Sequence, residues 1–212
     1  MGGMGEGSAW AGAKDGTPGF HGARMDVMTA SPTRHQVVSS DSDPLIRVNH
    51  ADEPIGTLEK RACHDGAGVL HRAFSVFVLN AAGEVLLQQR HPSKRLWPGF
   101  WSNSCCSHPR AGEGMDEAVA RRLEEELGVE APVEFVYKFE YRAEFGDIGT
   151  EHELCWVYVG RTEATPVVNT AEIAAWKWIR PADLDVGLRE DPESYTPWLK
   201  MEWERLRANS TI

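Results

Sequence analysis

Residues 115–129, MDEAVARRLEEELGV, decide how the rest of the chain is read. At about 100° per residue, Met115, Ala118, Val119, Leu123 and Leu127 fall on one stripe, so the segment is predicted as an amphipathic helix over 115–127. Gly128 follows as the residue that tolerates the left-handed cap conformation. Arg122 and Glu126 project into that apolar stripe, whereas Glu124 lies on the far side, where a solvated acid belongs. A carboxylate on a core-facing stripe must be paired, hydrogen-bonded or metal-bound, because burying it alone costs several kcal/mol. Two accounts of Glu126 stand at this point: an i,i+4 pair with Arg122, or a metal ligand.

Upstream, residues 73–79 (AFSVFVL) read as a strand, 80–83 as a turn and 85–89 as its hairpin partner. A loop dense in Pro, Gly, Trp and Cys spans 91–112. Downstream, 133–145, 153–160 and 176–179 read as strands; Pro181 opens a short helix, and Pro197 opens a last one ending near residue 208. Strands on both sides of a central helix predict a mixed sandwich of the α+β class. Residues 1–43, rich in Gly, Ser, Asp and Thr without apolar periodicity, read as a flexible N-terminal extension of one folded domain at 44–212.

The net charge of −10 argues against a nucleic-acid partner, yet a few local cations or a metal can still hold a small anion. No apolar run reaches the ~18–20 residues that span a bilayer. The four cysteines contain no C-x-x-C pair. Together with the lack of a signal-like start, this predicts a soluble protein in a reducing, cytoplasmic setting.

Two further stretches carry chemistry. In Glu151-His152-Glu153 at the head of a strand, the two acids share a face and His152 points away; paired carboxylates repel unless a cation or proton lies between them. Residues 96–109, LWPGFWSNSCCSHP, place Cys106 and His108 on one face if extended, with Cys105 on the other, so Cys106 is the better candidate for chemistry. His64, His71 and His108, if the fold unites them with Glu151 and Glu153, make a mixed N/O donor set suited to Mn²⁺, Zn²⁺ or Fe²⁺.

The helix resembles a degraded Nudix box, G-x5-E-x7-R-E-U-x-E-E-x-G-U, carried by Glu113 and residues 121–129. Ser107 stands where its first Gly is expected and Arg122 where an acid is expected. The loop WPGFWSNSCCSHP, with GTLEK at 56–60, the His64 and His71 pair, YRA at 141–143, the E-x-E-x-C of 151–155 and Pro197-Trp198, resembles the type I isopentenyl-diphosphate Δ-isomerases in order over about 45–208.

That resemblance implies a Nudix-type α/β/α sandwich with a mixed sheet and an isomerase of isoprenoid biosynthesis. Such an enzyme interconverts isopentenyl and dimethylallyl diphosphate by protonation and deprotonation through a carbocation-like intermediate. It implies that His64, His71, His108, Glu151 and Glu153 bind one divalent metal, Mn²⁺ or Zn²⁺, and that Glu126 helps hold a Mg²⁺ arriving with the diphosphate. Cys106 and Glu153 would flank the five-carbon chain, with Tyr141 close to Glu153 and Trp198 facing the reacting carbons. Lys60, Arg90 and Lys94 would meet the diphosphate. A Nudix diphosphate hydrolase is the alternative, against which the missing acid at Arg122 counts.

Overall fold

In the computed structural model, the described residues are 35–212, together with residues 1–2 and the backbone of Met28–Thr29. Ten strands form one sheet: β1 (Met28–Thr29), β2 (Pro44–Val48), β3 (Pro54–Glu59), β4 (His71–Leu79), β5 (Val85–Arg90), β6 (Trp101–Ser102), β7 (Cys105–Ser107), β8 (Val133–Phe145), β9 (Gly149–Arg161) and β10 (Ile173–Ile179). The helices are α1 (Lys60–His64), α2 (Met115–Leu127), α3 (Pro181–Glu190) and α4 (Pro197–Ala208).

The predicted helix at 115–127 has the expected bounds. Glu117 accepts the Gly114 N–H at 3.1 Å, and Gly128 closes the helix at φ 63° while its N–H reaches the Glu124 carbonyl at 3.0 Å. Pro181 and Pro197 each open a helix as expected, since the first turn has no use for their missing N–H.

The hub is β4, parallel to β9 over its whole length and antiparallel to β7. The expected hairpin between 73–79 and 85–89 is corrected. Leu79 pairs with Val85 at the turn, but β5 then diverges to pair with β10 and β6. The predicted loop at 91–112 contains β6 and β7, and β9 starts at Gly149 rather than at Glu153.

Alternation along β4 sorts the core into two layers. Phe74, Val76 and Val78 pack with Ala118, Val119, Leu123 and Leu127 of α2. Phe77 and Leu79 pack with Trp198, Leu199, Trp203 and Leu206 of α4. The result is the expected α/β/α sandwich around a mixed sheet.

Most of the expected extension lies outside the described residues. Its last part meets the domain: the Val38 carbonyl accepts from Arg122 Nη1 at 2.9 Å, Ser39 Oγ accepts from Lys60 Nζ at 2.6 Å, and Gln36 exchanges two hydrogen bonds with the Asn169 side chain. No described helix is long and apolar enough to cross a membrane.

Candidate active site and metal centre

Strand register assembles the site. His71 lies opposite Glu153 in the β4–β9 pair, Tyr141 is opposite Glu153 in the antiparallel β8–β9 pair, and Ser75 is opposite Cys106 in the β4–β7 pair. The short strand β7 is fixed by its approach. Asn103 Nδ2 donates to the carbonyls of Val76 and Cys105, both at 3.2 Å, and Ser104 Oγ bridges the Leu86 carbonyl and the Val78 N–H, both at 2.8 Å. Cys105 therefore packs into the α2 layer, and Cys106 faces the α4 layer, as the extended reading expected.

His64, His71, His108 and Glu153 bring one ligand atom each to within 4.8 Å of one another. His108 Nε2 is 3.0 Å from Glu153 Oε1 and His71 Nε2 is 3.6 Å from it. Glu151 joins through His64, whose Nε2 is 2.7 Å from Glu151 Oε2. The other ring nitrogens fix the tautomers: His71 Nδ1 meets the Val69 carbonyl at 2.8 Å and His64 Nδ1 meets the Lys60 carbonyl at 2.6 Å, so both must donate there. In the neutral rings, both Nε2 lone pairs then point at carboxylate oxygens, an arrangement that calls for a proton or a metal ion between them. Glu151 Oε2 is buried and lacks an aligned hydrogen bond, which fits the same demand.

Burial pushes His108 down to about 4 despite its bond to Glu153, leaving the imidazole neutral as a ligand must be. Burial works against the charge on Glu153, but its histidine neighbours His108 and His71 prevail and hold its carboxyl well below the usual range. The donor set therefore fits one divalent ion.

One pocket gathers the remaining expected residues: Lys60, Arg90, Lys94, Cys106, Glu126, Tyr141 and Trp198 line it together with His108, Glu151 and Glu153. The Tyr141 hydroxyl donates to Glu153 Oε2 at 2.7 Å. The Trp198 indole donates to Ser102 Oγ at 2.9 Å and lies 3.1 Å from Cys106 Sγ. The two rings stand 6.4 Å apart, and Trp97 meets Trp198 edge-on at 5.2 Å, so the wall is aromatic and buried. The Cys106 thiol donates to Asn103 Oδ1 at 2.7 Å. Burial, followed by the neighbouring Glu202, pushes it up to about 12.

Four cations converge here in an acidic chain. Burial and the nearby Lys94 and Arg122 push Lys60 down to about 8, Lys94 pairs with Glu172, and the Arg90 guanidinium lies 5.2 Å over the Trp198 ring. Arg122 lines the pocket too, and both accounts of Glu126 meet in one place. Arg122 Nη2 and Nε bond Glu126 Oε1 at 2.5 and 3.1 Å, and Glu126 also faces the pocket. Sequence reasoning missed Gln88, Ser107 and Glu172 as lining residues. The pairing of Ser107 beside Cys106 was a usable signal, but nothing local marks Gln88 or Glu172.

The NUDIX domain family matches residues 69–199. Isopentenyl-diphosphate Delta-isomerase 1 of Photorhabdus laumondii is 44% identical over 168 residues, which is 78% of this chain and 95% of that protein. The isopentenyl-diphosphate Delta-isomerase of Burkholderia multivorans is 44% identical over 161 residues, 76% of this chain and 91% of that protein. The crystal structure of DR0079 from Deinococcus radiodurans superposes with a TM-score of 0.64 at 26% identity, covering 77% of this chain and 98% of that one. Fold, domain match and these relatives agree: the chain belongs to the isopentenyl-diphosphate Delta-isomerase family and is built on the Nudix fold.

Proposed function

We propose that this enzyme interconverts isopentenyl and dimethylallyl diphosphate, with Cys106 and Glu153 as the proton-handling pair. The observation that carries the reading is the pairing of each group with an aromatic side chain: Cys106 Sγ at the N–H of the Trp198 indole, and Glu153 held by the Tyr141 hydroxyl. Moving a double bond requires one proton added at one carbon and another removed elsewhere, so an acid and a base are needed. With Cys106 as a neutral thiol and Glu153 as a carboxylate, the pair holds one proton: the thiol gives it to one carbon, the carboxylate takes a different proton from another, and exchange with solvent resets the pair. The tertiary cation between the two steps needs a dry cavity with an electron-rich face, which Trp198 and Tyr141 supply.

His64, His71, His108, Glu151 and Glu153 would hold one divalent ion, Mn²⁺ or Zn²⁺, and Glu126 would help hold Mg²⁺ brought by the diphosphate. When bound, these ions tune the acidity of Glu153 and neutralise the diphosphate. Lys60, Arg90 and Lys94 bind and orient that anion. All four cysteines are free thiols, which supports work in the reducing cytoplasm.

Incubation with isopentenyl diphosphate in D₂O should give deuterated dimethylallyl diphosphate, without phosphate release. Cys106→Ser and Glu153→Gln should nearly abolish this while circular dichroism stays unchanged. Wild-type rates in either variant would remove that residue from the mechanism, and stoichiometric release of phosphate or pyrophosphate would favour the hydrolase.

A further inference from the structure

One buried acid takes no part in the chemistry above. Glu202 lies on α4 one turn beyond Trp198 and is 0% exposed. Its carboxyl meets the Ser75 hydroxyl and the Cys155 thiol, whose Sγ is 3.5 Å from Oε1, and Oε2 has no partner. The titratable groups facing it are Cys106 on β7, Cys155 and Glu153 on β9, and Tyr137 on β8, whose hydroxyl donates to the Glu202 backbone carbonyl at 3.2 Å. On its own helix, the Arg205 guanidinium lies over the rings of Tyr137 and Phe139. None of these gives the carboxylate a cationic partner. An ionised carboxyl buried in this way is costly, so Glu202 is held as a neutral acid and carries an O–H donor. Burial pushes it up to about 8.

Ser75 links this acid to the reacting thiol, since its Oγ is 3.6 Å from Cys106 Sγ. A hydroxyl has one proton to give. When Glu202 is neutral it donates to Ser75 Oγ, and the Ser75 proton is free to point at sulfur. When Glu202 is ionised, Ser75 donates to the carboxylate, and the sulfur loses a donor while gaining a negative neighbour.

We propose that Glu202 is a positioning residue: as a neutral acid it sets the direction of the Ser75 hydroxyl, which stabilises negative charge on Cys106 sulfur as the proton moves. The proposal rests on the reading of Cys106 as the reacting thiol.

The test measures kcat and KM of the metal-reconstituted enzyme from about pH 6 to about pH 10 for the wild type, Glu202→Gln, Glu202→Leu, Ser75→Ala and the Leu/Ala double variant. Glutamine keeps a donor that cannot ionise. It should retain most of the neutral-pH kcat and lose the alkaline fall expected of the wild type as Glu202 ionises. Leucine removes the donor and should lower kcat about tenfold with KM unchanged. Ser75→Ala should match it, and the double variant should be no worse than either single one. The proposal is overturned by an alkaline fall unchanged in Glu202→Gln, or by additive losses in the double variant. If Glu202→Leu does not fold, the glutamine profile still decides. A wild type that does not isomerise the substrate at all would instead sink the function, whereas an active wild type with insensitive Glu202 variants sinks only this role.

Discussion

Replacing Arg122 by methionine tests why the helix has a cation where the Nudix pattern has an acid. Arg122 and Glu126 are 3% and 4% exposed, and two guanidinium nitrogens bond one carboxylate oxygen at 2.5 and 3.1 Å. Removing the cation strands a buried negative charge, which costs about 3–5 kcal/mol. The Val38 carbonyl also loses its donor at 2.9 Å. For a domain of this size, each kcal/mol moves the melting point by about 2–4 °C, so Tm should fall by roughly 6–20 °C. The double variant Arg122→Met/Glu126→Met removes both charges and should recover most of the loss, because the penalty comes from the stranded partner and not from the missing pair. Urea unfolding in metal-free buffer gives all corners of the cycle, with equal m-values required for comparison. A single variant within about 1 kcal/mol of wild type, or a double variant as unstable as the single, would show that Glu126 does not depend on Arg122.

Three further outcomes are expected. Tyr141→Phe removes the donor to Glu153 Oε2 at 2.7 Å and should lower kcat by about 10–100-fold with little change in KM; an unaltered kcat would free Glu153 from Tyr141. Adding Mn²⁺ or Zn²⁺ at about 100 times its Kd should stabilise the fold by about 2.7 kcal/mol, seen as a Tm rise of about 5–11 °C that a chelator reverses and His71→Ala abolishes; a rise that survives in His71→Ala would move the ion elsewhere. Glu202 has a folded pKa of about 8, above its unfolded value of about 4.3, so its contribution is fully present in acid and is lost as pH rises through that window. Denaturant unfolding should therefore show Glu202→Gln gaining on the wild type by up to about 1.4 kcal/mol per pH unit between those limits, and parallel pH curves would refute this.

The parts of the fold legible in the sequence are those fixed locally. Period, apolar stripe and the Gly128 cap gave the bounds of α2 without knowledge of neighbours, and Pro181 and Pro197 marked two helix starts. Strand pairing was less legible because it is a long-range choice. The run 85–89 follows 73–79 closely enough to suggest a hairpin, yet β4 takes β9 as its main partner from some eighty residues away. The pair β2 and β3 was missed because both strands are short and β3 is broken by Pro54 and Gly56, so alternation never emerges. In the site, Cys106 over Cys105 and the shared face of Glu151 and Glu153 followed from strand alternation alone. The three histidines come from α1, β4 and the residue just past β7, and no spacing unites them; the family resemblance did. Glu202 drew no reading from the sequence, since burial under a sheet is not written in a helix's own residues.

Two thiols side by side in β7 make the protein's chemistry a question of parity. A slip of one residue in that three-residue strand would still present sulfur to the pocket, but from residue 105, with His108 swung out of the ion cluster in the same movement. Asn103 and Ser104 act as a latch against this slip, each anchored to two main-chain groups. Length in this loop is thus held more tightly than composition: a substitution there removes one contact, whereas a single inserted or deleted residue would exchange the thiol that faces the pocket and break up the histidine–carboxylate cluster together.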